Sequence, residues 1–292
     1  MKKLLFLFFV IAFFSQQLSA QQNTYEYLGV IKLNDSAFIS YKLDFEELDG
    51  IINGYSITDT GGPHETKSNI EGIYDEKTNV FSFKELNVVY TKSPLDEFDI
   101  CLVNFNGELR NLKKNKAFSG NFKGLKEDNT PCIDGMIIMS NAEKVQQRVA
   151  KAQKKILKSK VVSQEVKDKV SLKRTLDTLT MSVVKKDESL KVFTKTKNVI
   201  VSIYDAGKVD DDRINLYVDG ELILENYSIL RDKKQIPIEI TKQTTVVRVE
   251  AIDEGTSAPN TVKVEIKDGP SLITTRTSLK AGETAQLSLI KQ

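Results

Sequence analysis

The sequence predicts a mainly β protein built from two domains with a basic helical connector between them. Short alternating apolar runs recur between turn signals over residues 25–140, and again over residues 189–292. The stretch between them, residues 141–191, changes to helical spacing and holds neither Gly nor Pro. A length of 292 residues suits two units of ordinary domain size after removal of a targeting segment.

That targeting segment comes first in the chain. Lys2 and Lys3 form a basic start, and residues 4–14 are an apolar run of signal-peptide length. Residues 15–18 turn polar, and Ser19-Ala20 offers a small-residue cleavage site before Gln21. The apolar run is short for a membrane span, which needs about 20 residues. No Cys near the cleavage site offers a lipid acceptor, and no later segment is long and apolar enough to cross a bilayer. The expected protein is secreted or periplasmic, with no transmembrane segment after cleavage.

Residues 21–140 form the first expected domain. Runs at residues 27–31, 37–41, 50–55, 80–83, 87–90, 100–103, 116–122 and 136–139 read as short antiparallel strands. Turn signals such as Thr60-Gly61-Gly62-Pro63 and Asn106-Gly107 separate them. Gly54, Gly72, Gly120, Gly124 and Gly135 sit where coiling strands bend or approach closely. The expectation is a small, lipocalin-like β-barrel. Cys101 and Cys132 are the only cysteines, and an even count in an oxidising compartment favours one disulfide.

Residues 141–190 form the connector. Val145, Val149, Ala152, Ile156 and Leu157 recur at helical spacing with lysines between them. Ser163 can cap a second helix running through Val166, Val170, Leu176 and Leu179. Residues 141–191 hold fourteen bases against six acids, a net +8. The whole chain is +2 and the targeting segment carries that +2, so the two flanking regions together carry −8. The basic run reads chiefly as a solvated helix face beside acidic neighbours, and secondarily as a dock for an anionic surface. Nucleic acid is not an expected partner, because no aromatics are interleaved for base stacking.

Residues 191–292 form the second domain, whose nine short strand-like runs favour a β-sandwich. Asp219-Gly220 is a two-residue hairpin signal. The loop Asp205-Ala206-Gly207-Lys208-Val209-Asp210-Asp211-Asp212 packs four carboxylates between two strands. A second polar loop, residues 253–260, lies between later strands. If both share one end of the sandwich, Asp205, Asp210, Asp212, Glu254 and Asn260 converge. Carboxylates with an amide form a Ca²⁺ set rather than a zinc set. Two other readings stay open: Asp205 or Glu254 accepting backbone N–H bonds and bracing the loop without metal, or plain turn residues.

The residues from Tyr204 to Ile214, then Leu216-Tyr217-Val218-Asp219-Gly220, Glu254-Gly255 and Ala258-Pro259-Asn260-Thr261, carry a resemblance. They resemble a C-terminal domain recurrent in uncharacterised secreted proteins of Bacteroidota. This chain has Asp211 where that pattern has Gly and Asp219 where it has Asn. The resemblance covers the last third of the chain, with a weaker likeness in the β-rich first part. It implies fold and export, and no activity.

The sequence holds no serine-nucleophile elbow, metalloprotease pair or phosphate loop, and its single His64 lies in a loop away from any nucleophile. The expected function is therefore a non-enzymatic binding or structural role at the cell envelope, with a surface or envelope ligand and a Ca²⁺-ordered loop. Two alternatives accompany it. One is a lipocalin-like carrier of a lipid or small molecule, which needs an apolar cavity. The other is a hydrolase that uses clustered carboxylates in a cleft.

Overall fold

A computed structural model describes residues 23–114, 116–169, 181–205, 211–256 and 258–292. The expected targeting segment, most of the second expected helix and Asp210 lie outside the described residues.

The first domain is an eight-stranded antiparallel closed barrel. Its strands are β1 (Asn23–Lys32), β2 (Phe38–Leu48), β3 (Ile51–Thr58), β4 (Thr66–Asp75), β5 (Val80–Thr91), β6 (Leu102–Glu108), β7 (Phe118–Leu125) and β8 (Gly135–Asn141). They pair in the order β5-β4-β3-β2-β1-β8-β7-β6, and β6 pairs back onto β5 to close the ring. Alternation sends Tyr27, Tyr41, Phe45, Phe81, Phe105 and Phe118 inward, where all are buried. Phe81 sits within 6.0 Å, centroid to centroid, of Phe45, Phe83, Phe105 and Phe118. These rings pack against one another in the barrel core.

Inward glycines let the strands approach one another. A Cβ on Gly54 would run into the Asp44 carbonyl, and one on Gly72 into the Ser82 carbonyl. The disulfide Cys101–Cys132 spans a Cα separation of 6.0 Å. It ties the segment entering β6 to the loop before β8. Both cysteines lie just outside the strands rather than in them.

The helix α1 (Ala142–Lys158) follows β8, with the Asn141 side chain accepting from the Lys144 N–H at 3.2 Å. The short α2 (Gln164–Lys169) begins after Ser163, as the capping signal predicts.

The second domain packs two five-stranded layers. One is β13-β12-β15-β18-β10 and the other β14-β11-β16-β17-β9. The strands are β9 (Ser182–Lys185), β10 (Ser189–Thr194), β11 (Asn198–Tyr204), β12 (Arg213–Val218), β13 (Glu221–Ser228) and β14 (Lys234–Glu239). They continue with β15 (Thr244–Ala251), β16 (Lys263–Asp268), β17 (Ser271–Ser278) and β18 (Thr284–Lys291). Asp219 and Gly220, both at positive φ, turn β12 into β13 as the hairpin signal predicts. The chain enters by lending β9 to one layer and β10 to the other, each parallel to its neighbour.

Barrel and sandwich share a sheet, which the sequence reading did not anticipate. Thr91 and Tyr90 of β5 pair with Lys191 and Val192 of β10. The two runs at residues 80–83 and 87–90 are thus one twelve-residue strand. Its first half builds the barrel core, and Tyr90 enters the sandwich core. Lys92, with a side chain 3% exposed, seals the joint by donating to the Val183 carbonyl at 2.5 Å and the Glu188 carboxylate at 3.2 Å.

Candidate functional site

The predicted acidic constellation lies at one end of the sandwich, between β11 and β12 and between β15 and β16. Asp205 follows β11 and is buried, and its N–H donates to the Leu230 carbonyl at 2.8 Å. Asp212 precedes β12 and is also buried. Its carbonyl accepts from the Ile229 N–H at 2.9 Å. The segment after β13 thus holds both feet of the acidic loop.

The side chains then divide. Asp212 Oδ2 accepts from the Thr261 N–H at 3.0 Å, which links the first loop to the second. Asn260 is fully buried and donates from Nδ2 to the carbonyls of Arg213 at 3.2 Å and Asp253 at 2.9 Å. Asn260 Oδ1 is shielded from solvent and accepts no hydrogen bond. Glu254 points elsewhere: its carboxylate accepts from the Ala281 N–H at 3.3 Å, in the turn between β17 and β18. The structure therefore brings Asp212 and Asn260 together, holds Asp205 through its backbone against Leu230, and directs Glu254 to another turn. Asp210 lies outside the described residues. Among the described residues no three His, Cys, Asp or Glu side chains are grouped to hold a metal.

The sequence reading passed over Asp253. Its carboxylate accepts from the Arg213 backbone N–H at 2.9 Å, from Arg213 Nε at 2.7 Å and from the Gly255 N–H at 3.4 Å. Burial works against this carboxylate, but the hydrogen bonds from Arg213 and Gly255 outweigh it and hold its pKa below the ordinary value. Asp two residues before Gly is an Asx-turn signal, and that signal distinguishes Asp253 from Glu254. Asp212 and Asp253 thus brace backbone N–H groups, as does Glu254, whereas the metal-free reading names Asp205 or Glu254 for that role.

The barrel offers two further features. Inside, Glu85 is buried and accepts from Tyr41 Oη at 2.9 Å, Ser56 Oγ at 2.5 Å and the Val103 N–H at 2.7 Å. Burial raises its pKa despite these three donors. A cleft of about 1310 Å³ opens on the barrel, lined by the polar Asn53, Glu71 and Lys84 and by the apolar Ile51, Ile73 and Met136, and it reaches the core rings Phe83, Phe105 and Phe122. Where barrel meets sandwich, a second cleft of about 990 Å³ is lined by Leu95, Phe98, Phe193 and Ile290 with charged neighbours.

No protein-family model matches the chain, and no curated protein or solved structure is similar to it.

Proposed function

We propose that this chain is a secreted, non-enzymatic binding or structural protein of the cell envelope, and that Ca²⁺ orders its acidic loop. The observation that carries the first part is the ring-filled barrel interior. A carrier needs an apolar cavity of a few hundred Å³. Here ten rings pack the inward positions, so recognition falls to the open cleft, where Asn53, Glu71 and Lys84 stand beside Ile51, Ile73 and Met136. A disulfide and an amino-terminal signal pattern support export. No helix among the described residues is long and apolar enough to cross a membrane.

The Ca²⁺ part rests on Asn260 Oδ1, a buried acceptor with no donor, next to a segment rich in carboxylates. The domains share a sheet, so the test uses the chain from Gln21 onward rather than the sandwich alone. Millimolar Ca²⁺ raises its melting temperature, and chelator reverses the rise. An unchanged melting temperature removes the metal. Titration with an apolar fluorescent probe and with a fatty acid tests the filled barrel. One-to-one saturable binding would restore the carrier alternative, and the expected result is none.

A further inference from the structure

The geometry of α1 points to a dock for an anionic lipid bilayer, an inference independent of the acidic loop. The helix packs one side against β1 and β8, with Val145, Val149 and Ile156 half-buried and Gln153 buried. Lys144, Arg148, Lys151, Lys155 and Lys158 follow one another at steps of four and three, which places them on a single face. At about 1.5 Å per residue the row is roughly 21 Å long. All five are exposed, and so is Lys154.

A solvated helix face normally alternates its charges, so that acids relieve bases three or four residues away. This one does not. Its only acid, Glu143, accepts from Gln147 at 3.2 Å. Among the described residues, Arg148, Lys151, Lys154, Lys155 and Lys158 form no ion pair. Among the described residues these five make no ion pair with an acidic neighbour, and their like charges stand side by side on the exposed part of the helix. The regions on either side carry a net −8. An anionic surface thus attracts this helix and repels the rest of the molecule, which fixes the orientation of approach.

Two apolar side chains choose a bilayer over a soluble polyanion. Leu157 is 51% exposed and stands one turn from Lys154 on the flank of the helix, about 140° around the axis from the middle of the Lys144–Lys158 row. Val161, just past the helix and next to Lys160, is 95% exposed. A soluble anion has no use for them. A lipid interface that meets the helix along Lys151, Lys154 and Lys158 accepts both, with headgroups on the lysines and apolar tips at the acyl boundary.

The test is co-sedimentation of the chain from Gln21 onward, which contains every described strand and helix. Phosphatidylcholine vesicles are compared with vesicles that also contain phosphatidylglycerol. Binding is expected only to the anionic vesicles, and it weakens as salt rises. The variant Arg148→Gln/Lys151→Gln/Lys154→Gln/Lys158→Gln binds about a thousandfold more weakly at an unchanged melting temperature. The variant Leu157→Ser/Val161→Ser loses a smaller factor and keeps the salt dependence, and Arg148→Lys binds as the parent does. Equal binding to both vesicle types, or full binding by the fourfold variant, overturns the proposal. So does salt-sensitive self-association without vesicle binding, which would assign the face to a second copy of the chain.

Discussion

The barrel and the sandwich are both antiparallel β structures, yet they fill their cores with different side chains. Ten rings line the barrel core, from Tyr25 to Phe122, whereas the sandwich core is Val, Ile, Leu and Ala with a single ring, Tyr90. Geometry accounts for the contrast. A closed eight-stranded barrel encloses a cylinder reached only by alternate residues, and several of those positions are glycines that let strands coil. The remaining positions must carry large side chains. Two facing sheets about 10 Å apart are filled by branched aliphatics from both sides. Filling a barrel thus depends on a few rings, while filling a sandwich is shared among many small groups.

The sharpest way to break that comparison is Phe81→Ala, which removes the ring that touches four others. It should cost about 3–5 kcal/mol of unfolding free energy, against about 0.5–1.5 kcal/mol for Ile266→Val in the sandwich. Denaturant titration measures both, and equal losses would mean that the barrel core collapses around the gap. The next largest effect concerns the joint. Lys92→Met removes a buried ammonium that reaches Val183 and Glu188 from the barrel side. A loss of about 1.5–3 kcal/mol is expected, the range for hydrogen bonds to charged groups. Melting of the two domains at separate temperatures in this variant, and not in the parent, would identify Lys92 as the coupling element.

The smallest effect is a pH dependence specific to the barrel. Burial raises the Glu85 pKa above its unfolded value. Its contribution is then fully present below the ordinary carboxylate range and is lost as pH rises through the folded pKa. From about pH 4 to about pH 8 the parent should lose stability relative to Glu85→Gln, whose side chain does not titrate. Identical pH profiles for the two proteins would show that the three donors cancel the burial.

Much of this architecture was legible in the chain because alternation leaves a direct trace. All nine expected strands of the sandwich lie where the apolar runs are, and so does the turn at Asp219-Gly220. β4 escaped notice because its inward positions include Thr66, Ser68 and Gly72, which give no apolar run. β5 was read as two strands because Glu85, a buried carboxylate, interrupts its alternation. β9 was hidden in a stretch dominated by helical spacing. At the site, Asp212 and Asn260 were found from their residue types. Asp253 was passed over because its role depends on where Arg213 stands.

The sequence by itself determined two β units, a basic helix between them, a disulfide between its two cysteines and an acidic turn. Each of these follows from residue type and spacing over a few positions. Only the tertiary structure decided that one strand serves both cores, that ten rings pack together in the barrel core, and that Glu254 turns away from Asp212. Those outcomes depend on which residues distant in sequence come to lie side by side. Local periodicity records which face a side chain takes, and it leaves open what it meets there.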